Sequence, residues 1–186
     1  MRPPRPPGPA PDASTLRNAA LRHLARYGST EVGMVRVLDR RIDRWARAAD
    51  GDAPTVRAAQ TAAQTAAREV AAALVAEGMI DDRAFAETRA RRLTRAGRSA
   101  AVIGAHLAAR GVAAEDRPAT PDAEQELAAA LAYARRRRLG PFGEDADGPT
   151  ALGAMARAGF SQTVARRALA MDADEARDRL LALRAG

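Results

Sequence analysis

Three features of the sequence carry side chains that could perform chemistry. Asp81 and Asp82 form an adjacent pair of carboxylates, His23 and His106 supply imidazoles, and the segment 143–148, GEDADG, places carboxylates among glycines. Carboxylates and imidazoles bind metal ions and exchange protons near neutral pH. The pair suggests a metal or acid–base site, and the glycine-rich segment faintly resembles a calcium-binding loop.

The spacing of these residues argues against all three sites. Neighbouring side chains in a helix point about 100° apart, and no histidine or cysteine stands near Asp81 and Asp82. The two histidines fall on different predicted helices, and segment 143–148 lacks the alternating ligands and closing glutamate of a calcium loop. The chain also has no cysteine, phosphate-binding glycine motif or nucleophile elbow. We predict that it is not an enzyme and uses no metal or cofactor.

The glycine before the carboxylate pair gives the pair a structural role. A Schellman ending places a left-handed glycine after a helix, and the next apolar residue packs on the residue four positions before that glycine. Leu74, Gly78 and Met79 have this spacing. Asp81 is then positioned to cap the next helix, with Asp82 in its first turn. The same pattern recurs at Leu107, Gly111 and Val112 and at Met155, Gly159 and Phe160.

Periodicity and boundary residues predict an all-α protein, because no segment alternates apolar and polar residues as a strand would. Hydroxyl groups at Ser29 or Thr30, Ser99, Thr120 and Ser161 are expected to cap helices. The predicted helices cover 15–26, 30–48, 61–77, 82–96, 100–110, 121–138, 149–158, 162–171 and a last segment to about residue 184, and the predicted loops are 48–55, 112–118 and 143–149.

The predicted helices group naturally in threes. Small three-helix units bury little apolar surface alone, so we expect three tandem modules stacked into an elongated, curved, solenoid-like body. Residues 1–14, which are rich in proline, are predicted to form a disordered tail. The first module spans 15–80, segment 81–138 holds the second module and the start of the third with a boundary near 120, and the third module spans 121–186.

The charge of the chain indicates a polyanionic or acidic partner. All 30 basic residues are arginine, and the net charge is +7. In the predicted helix 30–48, Val35, Leu38, Ile42 and Trp45 recur at helical intervals and define a buried face, opposite an arginine stripe. Three arginine groups result: Arg36, Arg40, Arg44 and Arg47; Arg89, Arg91, Arg92, Arg95 and Arg98; and Arg135, Arg136, Arg137 and Arg138.

Each arginine group admits two interpretations. Arginines in a last helical turn interact favourably with the helix dipole, and an exposed stripe can be a solvated face. As binding surfaces, groups on successive modules form a track that suits a filamentous or polyanionic partner. A stand-alone DNA-binding module is an alternative, although the predicted helices 30–48 and 82–96 contain no Asn or Gln to read bases. A generic helical scaffold is a further alternative.

The sequence offers no signal for membrane insertion or export. No apolar run approaches the roughly 18 residues that a membrane span needs, and the proline-rich N-terminus lacks the apolar centre of a signal peptide. We therefore expect a cytoplasmic monomer without membrane contact.

Four stretches of the chain carry a family resemblance. The segments GMIDDRAFAETRARR, GRSAAVIGAHLAARGV, AYARRRRLGPF and RAGFS, in this order, resemble the RecX family, the regulators of the RecA recombinase. The resemblance covers residues 16–172 and is most specific in two motifs. One is IDD-x-x-FA, which contains Asp81, Asp82 and Phe85, and the other is ARRRRLGPF.

The resemblance implies a small all-helical protein of three tandem three-helix repeats that binds RecA filaments along their helical groove. It further implies inhibition of RecA's ATP hydrolysis, strand exchange and stimulated repressor cleavage. Direct contact of the arginine track with single- or double-stranded DNA is an additional hypothesis. The proline-rich tail, the linker 48–60 and the acidic segment 143–148 depart from the family pattern.

Overall fold

The computed structural model describes residues 8–143 and 149–185. Within these ranges the chain forms α-helices and no strand, so the all-α prediction is confirmed. The predictions for tail residues 1–7 and for the centre of the acidic loop, 144–148, lie outside the described residues. The helices are α1 (Ala13–Leu24), α2 (Glu31–Ala48), α3 (Ala53–Ala76), α4 (Asp82–Arg95), α5 (Ala100–Ala109), α6 (Ala123–Arg137), α7 (Pro149–Arg157), α8 (Gln162–Leu169) and α9 (Ala173–Ala185), with short 3₁₀ turns at Ala114–Asp116 and Gly140–Phe142.

The chain divides into two compact units. Unit 1 holds the chain up to Phe85 together with Arg110–Val112, and unit 2 holds Ala86–Ala109 and the chain from Ala113 onwards. The core of unit 1 comes from α1, α2 and α3, and a second core in unit 2 comes from α6, α7, α8 and α9. The stacking of three modules into a solenoid stays a prediction.

The core of unit 1 forms where α1 and α2 pack on α3. Met34, Leu38 and Ile42 of α2 are fully buried there, two of them as the helical period predicts. Val35 is half-buried and packs against the edge of this core, whereas the prediction is wrong for Trp45, which is only half-buried. The buried stripe runs through Met34, one position before Val35, and a helix turns by about 100° at each residue.

The start of α3 differs from its prediction. The helix begins at Ala53 rather than at residue 61, so the predicted loop 48–55 is shortened to 49–52, and the predicted linker to residue 60 is wrong. The Asp52 carboxylate accepts a hydrogen bond from the Thr55 N–H at 3.1 Å, and Pro54 lies in the first turn, where a missing N–H breaks no helical bond. An aspartate followed shortly by proline here begins a helix instead of ending one.

The caps of the other helices follow the predictions except at α6. Thr30 and Ser161 cap α2 and α8 as expected. At α6 the expected cap, Thr120, is wrong, because Asp122 accepts a hydrogen bond from the Gln125 N–H at 2.7 Å. An aspartate is at least as strong a cap as a threonine, so the helix begins at the later residue.

Gly78 ends α3 in the predicted left-handed conformation, with a φ of 71°. The N–H of Met79 donates to the Leu74 carbonyl and the N–H of Gly78 donates to the Val75 carbonyl, both at 2.9 Å, as in a Schellman ending. The predicted apolar contact is displaced by one residue, because Met79 is 51% exposed whereas Ile80 is 2% exposed. The backbone therefore turns one residue further before an apolar side chain returns to the core.

The two other predicted glycine stops are also left-handed, with φ of 84° at Gly111 and 85° at Gly159. The Phe160 N–H donates to the Met155 carbonyl at 3.2 Å, and both side chains are buried. Val112, after Gly111, is buried as well. The pattern that predicts three helix ends therefore identifies three real ones.

Arg110 and Gly111, which follow α5, contact the start of α2 inside unit 1. The Thr30 hydroxyl accepts a hydrogen bond from the Gly33 N–H at 2.9 Å and donates one to the Arg110 carbonyl at 2.7 Å. The next residue, Gly111, lies against Val32 so closely that an added Cβ would be 2.4 Å from the Val32 Cβ. The Thr30 hydroxyl therefore caps α2 and also binds the backbone carbonyl of Arg110.

The same joint recurs in unit 2, between the start of α5 and the end of α7. The Ser99 hydroxyl accepts a hydrogen bond from the Val102 N–H at 3.3 Å and donates one to the Ala158 carbonyl at 2.8 Å. Ala158, like Arg110, immediately precedes a left-handed glycine. Gly159 faces Ser99, since an added Cβ would lie 2.5 Å from the serine oxygen.

A carboxylate from another helix completes each joint. The Glu31 N–H, next to Thr30, donates to Asp82 at 2.9 Å. The Ala100 N–H, next to Ser99, donates to both oxygens of Glu126, at 3.0 and 3.2 Å. These acceptors satisfy first-turn amides that have no partner within their own helix.

We predict that Gly111→Ala destabilises the protein more than Gly78→Ala. Both positions are left-handed, which costs alanine about 1–2 kcal/mol. An added Cβ meets nothing within 4 Å at Gly78 but overlaps Val32 at Gly111. In urea unfolding we therefore expect an additional loss of at least about 1 kcal/mol for Gly111→Ala. Equal losses for the two variants would contradict the docking described for the end of α5.

The second stability prediction concerns Glu126. Burial raises the pKa of this carboxyl, and the hydrogen bond from Ala100 opposes the rise. A raised folded-state pKa makes ionisation unfavourable to the fold, so stability is lost as the pH rises through that value. Glu126→Gln keeps an acceptor without the charge. Thermal melts should show the variant more stable than the wild type at about pH 7, with a difference that shrinks towards about pH 4; a pH-independent difference would contradict this assignment.

Candidate functional site

The first arginine group lies on the exposed side of α2 in unit 1. Arg36, Arg40, Arg44 and Arg47 are all exposed, on the side away from the buried Leu38. Their spacing keeps them on one side of the helix over about three turns. This set is called the α2 surface below.

Two carboxylates of α2, Asp39 and Asp43, face α3 instead of the arginines. Asp43 accepts a hydrogen bond from the Gln60 side chain at 2.9 Å. Asp39 is half-buried, and burial raises its pKa against the opposing effect of the Arg68 guanidinium. One oxygen of Asp39 is shielded from solvent without a hydrogen-bond partner, in keeping with that burial. Separation of the two charge signs leaves the α2 surface predominantly positive.

Sequence reasoning missed a contact between the proline-rich segment and α2. The Trp45 indole N–H donates to the Gly8 carbonyl at 2.9 Å. Pro9, Pro11 and Arg44 lie beside this contact and line an open hollow of about 490 Å³. The available signal was a lone tryptophan at the edge of the predicted buried face, since a half-buried indole N–H requires an acceptor.

The members of the second arginine group, on and just after α4, differ in their contacts. Arg89 is half-buried, and its Nε donates to the Nε2 atom of His106 on α5 at 3.1 Å. Because the guanidinium is always a donor, the imidazole nitrogen is the acceptor of this hydrogen bond. Arg91 interacts with its own helix, at 3.3 Å from Thr88 and 3.8 Å from Glu87. Exposed guanidinium groups of this set belong to Arg91, Arg92, Arg95 and Arg98.

The third group, at the end of α6, is exposed at all four positions, yet its members differ in role. Arg136 donates a hydrogen bond to the Ala96 carbonyl and lies 5.6 Å from the centre of the Tyr133 ring. Arg137 lies 5.9 Å from the same ring. Arg138 is left-handed, with a φ of 55°, at a position where helices usually place glycine.

The structure brings the second and third groups together in unit 2. Arg136 contacts Ala96, which directly follows Arg95 at the end of α4. Gly97 allows this approach, because an added Cβ would lie 2.5 Å from the Tyr133 backbone nitrogen. The two groups together are called the α4–α6 surface below. The α2 surface belongs to the other unit.

The residues whose side chains could perform chemistry make structural contacts instead. Asp81 caps α4 by accepting a hydrogen bond from the Ala84 N–H at 2.8 Å, and Asp82 binds the Glu31 N–H. The His23 ring packs 5.3 Å from the Tyr27 ring. Over residues 8–143 and 149–185, no three His, Asp or Glu side chains gather as a metal site would require. None of the described helices has the length and apolar content of a membrane span.

Comparison with known proteins identifies the family. A protein from Myxococcus xanthus named Regulatory protein RecX is 36% identical over 164 residues, covering 83% of each chain. The chain belongs to the RecX family. A second protein of that name, from Agrobacterium fabrum, is 33% identical over 103 residues, which cover 53% of this chain and 56% of that protein. No protein-family model and no solved structure matches the chain.

The RecX motif around residues 80–86 proves to be part of the fold. Ile80 and Ala86 are buried. The Phe85 ring packs beside Gly28, where an added Cβ would lie 3.5 Å from the ring. Together with the hydrogen bonds of Asp81 and Asp82, these contacts fix the start of α4 against the loop before α2.

The second RecX motif, ARRRRLGPF, combines four exposed arginines with a turn that packs against α8. The Leu139 N–H donates to the Ala134 carbonyl at 2.9 Å, and the left-handed Arg138 closes this helix end. Gly140 then lies against α8, where an added Cβ would be 2.8 Å from the Leu169 Cα. The motif therefore presents exposed guanidinium groups from a backbone fixed on both sides.

We predict opposite effects of two neighbouring arginine substitutions on stability. Arg138→Gly relieves a left-handed conformation and should leave the melting temperature unchanged or raised. Arg136→Ala removes the hydrogen bond to Ala96 and the contact with Tyr133, so it should cost about 1 kcal/mol. Calorimetric melts of both variants test this order, and a lower melting temperature for Arg138→Gly than for Arg136→Ala would overturn it.

Proposed function

We propose that this protein binds RecA filaments in the cytoplasm and regulates, mainly by inhibition, their ATPase, strand exchange and coprotease activities in DNA repair and the SOS response. Membership of the RecX family over 83% of the chain is the observation that carries the proposal. The protein acts by contact rather than by catalysis, and it needs no cofactor.

The exposed arginines support this proposal. The α2 surface and the α4–α6 surface each present several guanidinium groups from helices whose ends are hydrogen-bonded to other elements. A guanidinium forms strong paired hydrogen bonds with carboxylates and phosphates. Such surfaces can bind the acidic side chains of a filament and, in addition, the phosphates of the DNA inside it.

Inhibition follows from binding to more than one protomer. When one surface is bound, the other meets its site at a high effective concentration, so individually weak contacts add to tight binding. A protein held across neighbouring protomers opposes any step in which the protomers must move relative to one another. ATP hydrolysis coupled to such movement would slow without chemical participation by the inhibitor.

A stand-alone DNA-binding module remains the alternative function. Its tight duplex binding without RecA would fall steeply with salt, because each phosphate contact releases counterions. The arginine-bearing helices α2 and α4 contain no Asn or Gln, so sequence-specific reading of adenine by an amide is absent from them. Fluorescence anisotropy with duplex DNA at two salt concentrations distinguishes this function from RecA binding.

The RecA ATPase titration tests the proposal. Added wild-type protein should slow DNA-dependent ATP hydrolysis at near-stoichiometric ratios. Replacing Arg36, Arg40 and Arg44 with Ala should require at least about tenfold more protein for the same inhibition, with unchanged helicity, since these side chains are exposed.

The matched control replaces Arg22, Arg26 and Arg57 with Ala. These side chains are also exposed in unit 1, and the control removes the same charge. It should inhibit as the wild type does. Equal weakening by both triple variants would mean that net charge alone acts, and no inhibition by the wild type at any ratio would refute the proposed function.

A further inference from the structure

The end of the α2 surface is in contact with the chain's own N-terminal segment. The Trp45 indole N–H donates to the Gly8 carbonyl at 2.9 Å, and Arg41 and Arg44 lie beside this hydrogen bond on the last turns of α2. Residues 8–11, GPAP, are called the strap below. The strap and α2 belong to the same unit. The strap therefore occupies space next to a guanidinium group that the proposed function assigns to a partner.

Asp12 attaches the strap to the fold independently of Trp45. Its side chain accepts a hydrogen bond from the Thr15 N–H at 2.8 Å, and its carbonyl accepts one from the Leu16 N–H at 2.9 Å. Both bonds belong to the first turn of α1, so they persist whether or not the strap contacts α2. Asp12 is therefore the fixed point from which residues 8–11 can move away from Trp45.

The contact between the strap and α2 is weak. Gly8 and Pro9 are exposed, and so is the hydrogen bond to Trp45. Pro9 and Pro11 have no N–H and cannot donate backbone hydrogen bonds. A hollow of about 490 Å³ lies between the strap and the helix. One exposed hydrogen bond favours the closed strap by about three- to tenfold, so a partner of modest affinity can displace it.

The two prolines explain how so few contacts can hold the strap. Proline fixes its own φ near −65°, which keeps Pro9 and Pro11 extended before the strap contacts α2. A segment that is already extended loses little backbone entropy when it docks, and each proline favours docking by about two- to fivefold for this reason. Recognition of proline-rich segments by aromatic side chains depends on the same preorganisation.

The side chains that the strap contacts are of the types that carry most of the binding energy at protein interfaces. Tryptophan and arginine are the leading such types, because each combines a large contact area with hydrogen-bond donors. Trp45 is the one tryptophan of the chain, and Arg44 lies next to it. With the strap closed, the indole N–H of Trp45 is already bound to Gly8. A partner that uses this N–H must first displace the strap.

We propose that residues 8–11 form an autoinhibitory strap, which closes over Trp45 and Arg44 and competes with an acidic partner for the end of the α2 surface. The closed strap lowers the apparent affinity by the fraction of molecules in which it is open, a loss of about three- to tenfold. This inference rests on the proposed function and deepens it, because the partner is the RecA filament.

A matched pair of full-length variants tests the strap. The Pro9→Ser, Pro11→Ser double variant keeps the length, the charge and the Gly8 carbonyl but loses the preorganisation, so the strap should open. The control is Pro118→Ser, Pro121→Ser in unit 2. Pro121 immediately precedes a capping aspartate, as Pro11 does. Circular dichroism should show that both variants are folded.

Tryptophan fluorescence reports the strap without any partner, because Trp45 is the one tryptophan. The acrylamide quenching constant of the strap variant should rise at least about 1.5-fold over the wild type as the open fraction grows, with a shift of the emission to longer wavelength. The control variant should match the wild type. The quenching constant should not change with protein concentration, because the contact lies within one chain.

Co-sedimentation with RecA filaments tests the competition. At a salt concentration where part of the wild type stays unbound, the strap variant should bind at least about threefold more tightly than the wild type. The control variant should bind as the wild type does.

Four outcomes would overturn the inference. Equal quenching in the strap variant and the wild type would show that residues 8–11 do not cover Trp45, and quenching that depends on protein concentration would assign the contact to a second copy. Increased quenching with unchanged or weaker filament binding would exclude competition and leave the proposed function intact. Absence of filament binding by all three proteins would refute the proposed function and the competition together, while quenching would still decide whether the strap closes.

Discussion

Two buried hydroxyl groups hold the ends of this protein's helices together. Thr30 and Ser99 are the buried polar side chains of the described residues, with exposures of 2% and 0%. Each caps the helix that it begins and donates to the last carbonyl before a left-handed glycine. A buried hydroxyl or carbonyl without such a partner costs about 1–3 kcal/mol, so each joint specifies one geometry.

The arginine surfaces are carried by helices whose ends are in close backbone contact with other elements. The glycines at these joints bring one helix end against another helix at distances that a side chain would prevent. Such contacts let a chain with 3% aromatic residues and many alanines form two small cores. With helix ends fixed by hydrogen bonds, the outer faces can carry arginines that the fold does not require. Other arginines make contacts within the fold, among them Arg89 with His106, Arg136 with Ala96 and Arg17 with Glu77.

Local patterns predicted much of the fold. Helical periodicity and glycine spacing identified the all-α class, the three stops and most helix positions, because these signals lie within a few residues of one another. The start of α3 was missed because Asp52 and Pro54 occur equally in loops and at helix starts. Ile80 rather than Met79 returns to the core, which depends on a turn geometry that spacing alone does not give.

The contacts of the candidate site were less predictable. Exposure of the α2 arginines followed from periodicity. Periodicity does not predict the different roles of Arg136 and Arg138. Arg136 contacts Ala96 and Tyr133, which are distant in the sequence or on another turn, and Arg138 has a left-handed backbone. The second bonds of Thr30 and Ser99 likewise reach partners 80 and 59 residues away.

In the proposed function, exposed arginines on a hydrogen-bonded framework bind the RecA filament, and the fold does not depend on these side chains. The most direct measurement of this binding is co-sedimentation with RecA filaments assembled on single-stranded DNA, comparing the wild type with an Arg135→Ala, Arg138→Gly double variant. We expect the wild type to pellet with the filaments and the variant to bind at least about tenfold more weakly at an unchanged melting temperature. Equal pelleting of a folded variant and the wild type would contradict it.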